Sequence, residues 1–131
     1  MNYDEYPSTI IDAAALDKLA VLAHLNQIPY AHPNNCRVLE VGCSIGGHLI
    51  PMAILHPGSF FVGLDINEKE LNIAKERVQQ LGLTNIELIC ADASSYQEKN
   101  TLLKYDYIIC HGVVSWISEE IAQNIFQNLE I

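Results

Sequence analysis

Val38-Leu-Glu-Val-Gly-Cys-Ser-Ile-Gly-Gly47 decides the fold of this chain. An apolar run gives way to small residues and then to a new apolar segment beginning at Leu49. That order reads as a buried strand, a tight turn and the start of a helix. Glycine has no Cβ, so a turn of this composition lets backbone approach a ligand closely. Glu40 stands two residues before Gly42. A carboxylate there is unfavourable for a pyrophosphate and suited to a cationic amine. A second strand-like run, Phe60-Phe-Val-Gly-Leu-Asp65, ends in an acid 23 residues after Gly42. In nucleotide-type strand–helix–strand units an acid at about that distance holds a ribose.

Outward from this unit, strands and helices alternate. Strands are expected at Arg37–Val41, Phe60–Leu64, Asn85–Cys90 and Tyr105–Cys110. A first helix is expected to be capped by Asp12, with Leu16, Leu19, Ala20 and Ala23 on one face and Pro29 and Pro33 beyond its end. The helix after the glycine turn stops at Pro57-Gly58, and its Pro51 is tolerable only in the first turn, where backbone N–H groups have no helical partner. Asn67 reads as an N-cap with Glu70 as its capping-box acid. Leu71, Ala74, Val78 and Leu81 repeat at helical spacing, and Gly82 ends that helix. A short helix is expected at 97–103, and a final one from Ser118 to Ile131. Residues 1–11, aromatic and acidic, are expected to be extended and to fold over a site. This alternation predicts a parallel sheet with helices on both faces, which binds ligands outside the carboxyl ends of its strands. Gly42–Gly47, Asp65, Asp92 and His111 all fall at such ends.

The 131 residues suit one domain, 1–131, and the half that are hydrophobic exclude a disordered chain. A net charge of −9 argues against nucleic acid or an anionic membrane as partner. No apolar run reaches the roughly 20 residues of a membrane span, and the N-terminus lacks the marks of a signal peptide, so a cytoplasmic location is expected. Cys36, Cys43, Cys90 and Cys110 form no C-x-x-C pair and read as small apolar residues in a reducing compartment. The histidines show no metal-ligand spacing, so no metal is expected.

Glu40, Gly42, Cys43, Ser44 and Gly46 form the candidate ligand loop. Asp65 offers two acceptor oxygens to a vicinal diol, or else caps the helix that follows. Asp92 accepts from an adenine amine, or else makes an Asx turn. Ile66 and Ala93 are candidate apolar walls for the base, or ordinary packing. His111 is the weak catalytic candidate, against an equal case for a structural histidine. These features indicate a nucleoside cofactor that is not strongly anionic, and S-adenosylmethionine fits. NAD is the competitor, because Gly42 and Gly47 partly fit G-x-G-x-x-G with Ser44 in the middle position.

The order Glu40-x-Gly42-x-Ser44-x-Gly46, Asp65, Ala91-Asp92-Ala93 and Tyr105-Asp-Tyr-Ile-Ile-Cys110 resembles the class I, Rossmann-like S-adenosylmethionine-dependent methyltransferases over nearly the whole chain. The resemblance implies that Glu40, Gly42, Ser44 and Gly46 surround the methionine portion of the cofactor. Asp65 then holds its ribose and Asp92 faces its adenine, and S-adenosylhomocysteine (AdoHcy) is the product. The family usually has Gly where this chain has Ser44. Tyr3-Asp-Glu, Gly46-Gly47 with Leu49-Ile-Pro-Met-Ala53, and His111-Gly-Val-Val-Ser-Trp116 are similar to bacterial methyltransferases with a methyltransferase regulatory domain. Some of those act on protein lysines, which makes a protein substrate the implied partner.

The family sheet has seven strands, and this chain supplies four. The implied fold is an α/β three-layer sandwich with sheet order 3-2-1-4, lacking the usual C-terminal strands. Its fourth strand is expected to be an apolar edge available for self-association or a second chain. Three readings follow: a methyltransferase, a cofactor-binding or partner-binding remnant of one, and an NAD-dependent oxidoreductase.

Overall fold

The computed structural model describes residues 15–93 and 105–110. The elements are α1 (Leu16–Leu25), β1 (Arg37–Val41), α2 (Leu49–Leu55), β2 (Phe60–Asp65), α3 (Glu68–Leu81), β3 (Ile86–Cys90) and β4 (Tyr107–Ile109). Strands buried on both faces read as near-continuous apolar runs, which is why Val38-Leu39 and Phe61-Val62 build the sheet centre. All pairings are parallel, as the alternation of elements predicts, and the order is β3-β2-β1-β4, as the family resemblance implies. Glu40 is in register with Gly63 on one side and Ile109 on the other.

Alternation along the strands divides the core in two. Val38, Phe61 and Ile109 face Leu16 of α1, Leu49, Met52 and Ala53 of α2, and Leu71 of α3. Leu39, Val41, Val62, Leu64 and Tyr105 form the core of the opposite face. The three described helices therefore share one face. Among the described residues no helix covers the other face, and the helices expected at 97–103 and 118–131 lie outside the described residues.

Local chemistry accounts for most boundaries. The Asn67 side chain accepts a hydrogen bond from Glu70 N–H at 3.2 Å, and Gly82 ends α3 in the left-handed region at φ 65°. Pro51 is the third residue of α2 and so falls in its first turn, between Ile50 and Met52, whose N–H groups donate to Gly46 O and His48 O at 2.9 and 3.4 Å. Asn85, expected as the first residue of the third strand, lies just before it and donates to the carbonyls of Ala53, His56 and Ser59 at 3.0, 3.3 and 3.1 Å, tying off the end of α2.

Four expectations need correction. α1 starts at Leu16 after Ala15, which makes no side-chain cap, rather than at Asp12. Leu81, expected on the apolar face of α3, is 54 % exposed, and Leu83 just beyond the helix packs against the core instead. Cys90 is exposed, since β3 turns an open side to solvent, whereas Cys36 and Cys43 are buried as expected. β4 pairs over three residues only, so the apolar edge is shorter than the run Tyr105–Cys110 suggests.

Gly63 is the one strand glycine whose missing side chain shapes the site. A Cβ there would lie 2.7 Å from Cys43 Sγ, 2.8 Å from Leu49 Cδ2 and 2.9 Å from Leu88 Cδ2. All three contacts are too short, so Gly63→Ala is expected to destabilise the fold by ~1–3 kcal/mol through overpacking. A urea melt with an unchanged slope and an earlier midpoint would show it, and an unchanged midpoint would refute the close packing.

Candidate functional site

The carboxyl ends of β1, β2 and β3 meet around one carboxylate. Asp65 Oδ2 accepts from Ser44 N–H at 2.7 Å, and its Oδ1 accepts from Asn67 N–H at 2.8 Å. The Asp65 carbonyl accepts from Ala91 N–H at 3.1 Å, which brings the Ala91–Ala93 turn alongside. Asp65 thus ties the glycine loop to the start of α3. The helix-capping role weighed for it belongs instead to Asn67, the N-cap of α3, and Asp65 anchors that residue's N–H. That anchoring does not exclude a ligand role. An ionised carboxylate has about four lone-pair positions, and the two backbone bonds use half of them.

The loop itself is held from below. Gly42 and Cys43 both donate N–H groups to Leu64 O, at 2.7 and 3.1 Å. Gly42, Ser44 and Gly46 have φ of 77°, 53° and 80°. Three residues of five in the left-handed region explain why small residues recur here. Ser44 occupies that region with a Cβ, at a cost of roughly 1 kcal/mol relative to Gly. At Gly46 a Cβ would meet Ile50 Cδ1 at 2.6 Å. Cys43 turns its side chain into the core against Gly63, so only its backbone can face a ligand.

Glu40 stands beneath the loop on the face shared with the helices. It is 6 % exposed, and its Oε2 has no hydrogen-bond partner. Burial, and then the charge of Asp65, push its carboxyl up to about 8. Burial is also the main cause that raises the Cys36, Cys43 and Cys110 thiols, which makes them poor nucleophiles. Ile66 is 73 % exposed beside Asp65, free to cover a planar ligand. Ala93 is partly buried against the second core cluster, and Asp92 is exposed just after β3. His111, with Tyr96 and Trp116, lies outside the described residues.

The site residues Glu40, Gly42, Ser44, Gly46 and Asp65 are therefore brought together by the sheet and two backbone anchors. Gly63 and Asn85 were missed. An isolated Gly inside a strand signals close approach and could have flagged the first. Nothing in the sequence singles out Asn85, because its three acceptors come from a different part of the chain.

The pattern has relatives. A family described as Methyltransferase domain matches residues 32–130. The Rickettsia prowazekii protein RP789 is 38 % identical over 125 residues, 95 % of this chain and 22 % of its own length. PKMT2 from Rickettsia typhi, solved in complex with AdoHcy, superposes with a TM-score of 0.85 at 27 % identity, over 96 % of this chain and 25 % of that one. The malonyl-acyl-carrier-protein O-methyltransferase of Bacillus anthracis is 27 % identical over 135 positions, 100 % of this chain and 45 % of its own. The chain thus spans about a quarter of the length of the two Rickettsia relatives. Among the described residues, no helix is long and apolar enough to cross a membrane.

Proposed function

The chain belongs to the methyltransferase-domain family that matches residues 32–130, and from that premise we propose that it binds S-adenosylmethionine and carries the cofactor half of a methyl-transfer site. The observation that carries this reading is Glu40. A carboxyl group buried under a glycine loop with one oxygen unpartnered suits a cation, and the methionine portion of this cofactor carries one. The bound AdoHcy of the Rickettsia typhi neighbour supports the same assignment. A dinucleotide offers a pyrophosphate rather than a cation to the buried, unpartnered oxygen of Glu40, so the NAD reading is not favoured.

In this reading Glu40 and the backbone of Gly42, Ser44 and Gly46 hold the amino-acid end. Asp65 accepts from the ribose diol with the lone pairs its backbone bonds leave open. Ile66 and Ala93 flank the base, and Asp92 takes its amine. When bound, S-adenosylmethionine supplies a methyl group on a sulfonium that is already a good leaving group. The chain mainly has to fix the donor, and positioning alone can supply ~7–11 kcal/mol of a barrier. The narrower likeness to bacterial protein methyltransferases makes a neutral lysine amine of a protein the acceptor class. None of the described residues is assigned as a general base.

Calorimetry on the folded chain tests the reading. S-adenosylmethionine and AdoHcy are expected to bind at micromolar concentration, and NAD is not. A folded chain that takes up neither sulfur nucleoside would refute it.

A further inference from the structure

We propose that the cofactor-free chain keeps Glu40 as a neutral acid, and that seating the ammonium group of the cofactor's methionine portion ionises it, so that binding expels one proton to solvent. The inference rests on the cofactor reading above and adds a regulatory property to it.

Among the described residues, the geometry is that of a buried carboxyl group facing only neutral and acidic groups. Glu40 lies between Gly63 of β2 and Ile109 of β4 in register, 6 % exposed, with Oε2 unpartnered. Among the described residues, the titratable groups that interact with it are Asp65 from β2, Cys43 from the loop and Cys110 from the segment after β4. All three are neutral or negative, never positive. Apolar Leu49 packs from α2 on the same side, close to Gly63. A buried charge without an opposite charge is unfavourable, so the proton stays on.

An ammonium arriving at the loop changes the balance. An opposite charge within ~4–6 Å favours the carboxylate. The carboxylic acid and the ammonium become an ion pair, and the displaced proton goes to solvent, so atoms and charge balance. Only the ionised fraction of Glu40 is ready for the ligand, and that fraction scales the apparent affinity. Affinity for the cofactor is therefore expected to rise nearly tenfold per pH unit between pH 6 and 7, and to level off as Glu40 ionises unaided.

Proton release can be counted by calorimetry at pH 7 in phosphate, HEPES and Tris, whose ionisation heats differ. The expected count is close to one for both S-adenosylmethionine and AdoHcy, since both carry the ammonium. Glu40→Gln should bring the count to near zero and flatten the pH dependence of binding. Tight binding with no buffer-dependent heat would overturn the inference and leave the cofactor reading standing. Release by S-adenosylmethionine alone would overturn the assignment to the ammonium, because only that ligand carries a sulfonium. Release that persists in Glu40→Gln would overturn the role of Glu40. Absence of binding would overturn the cofactor reading and this inference together. The wild-type buffer series decides the main point even if the variant fails to fold.

Discussion

Asp65→Ala is expected to weaken S-adenosylmethionine binding by more than about 100-fold, because a charged acceptor is worth ~1.5–3 kcal/mol per hydrogen bond and a ribose diol offers two. The same change frees Ser44 N–H and Asn67 N–H, the two donors that Asp65 now holds at 2.7 and 2.8 Å. Some of the loss will therefore come from a loosened loop and show as an earlier thermal transition. A cycle separates the two parts. Wild type and Asp65→Ala are each titrated with AdoHcy and with its 2′,3′-dideoxy analogue. If Asp65 holds the diol, removing the diol weakens the wild type strongly and the variant hardly at all. Equal losses in both proteins would reduce Asp65 to a loop anchor.

The unliganded chain is expected to lose stability as the pH rises from about 5 to about 8, by ~3–4 kcal/mol in total, since one extra bound proton in the folded state is worth about 1.4 kcal/mol for each pH step. The sign follows from Glu40. In the unfolded chain it gives up its proton near the ordinary glutamate value of 4.5, and in the folded chain burial and Asp65 hold it to about 8. Between those values the folded state carries the extra proton, so raising the pH favours unfolding. The stabilisation is fully present below 4.5 and is lost as the pH passes through 8. Many proteins are at their most stable between about pH 5 and 8, so a steady fall across this range is distinctive. Urea melts at pH 5, 6, 7 and 8 check it. Glu40→Gln should remove most of the slope and be more stable than wild type at pH 8. A wild-type stability that climbs from pH 5 to pH 8 would contradict a neutral buried Glu40.

The linkage also fits the site to its ligand. A buried acid that costs stability in the free chain is released from that cost when a cation binds. Gly63 has a matching purpose: its bare Cα leaves room for Cys43 Sγ, which keeps the loop seated over β2.

Much of the sheet was legible in the residues. Apolar runs bounded by turn residues mark β1 and β2 to within one residue, because strands buried on both faces tolerate little else. Asn67, Glu70 and Gly82 mark α3, since capping is local chemistry written in a few adjacent residues. The strand order follows the family resemblance, and the parallel pairing confirms it. Edges were less legible. β3 is half exposed and β4 pairs over three residues, because an edge strand has one partner and a looser demand on its side chains.

The site divides in the same way. The glycine loop, Glu40 and Asp65 stand out in the sequence because turns and strand ends select residue types through backbone geometry and charge. Their relations do not stand out. That Asp65 would pin Ser44, that Glu40 would keep an unpartnered oxygen opposite Gly63, and that Asn85 would close α2 depend on groups 21 to 32 residues apart. Sequence determined the elements and the kinds of chemistry at their ends, because those are set by near neighbours. Tertiary structure alone decided which oxygen is satisfied and which carboxyl is kept from water, because burial and hydrogen bonding are properties of surroundings assembled from distant residues.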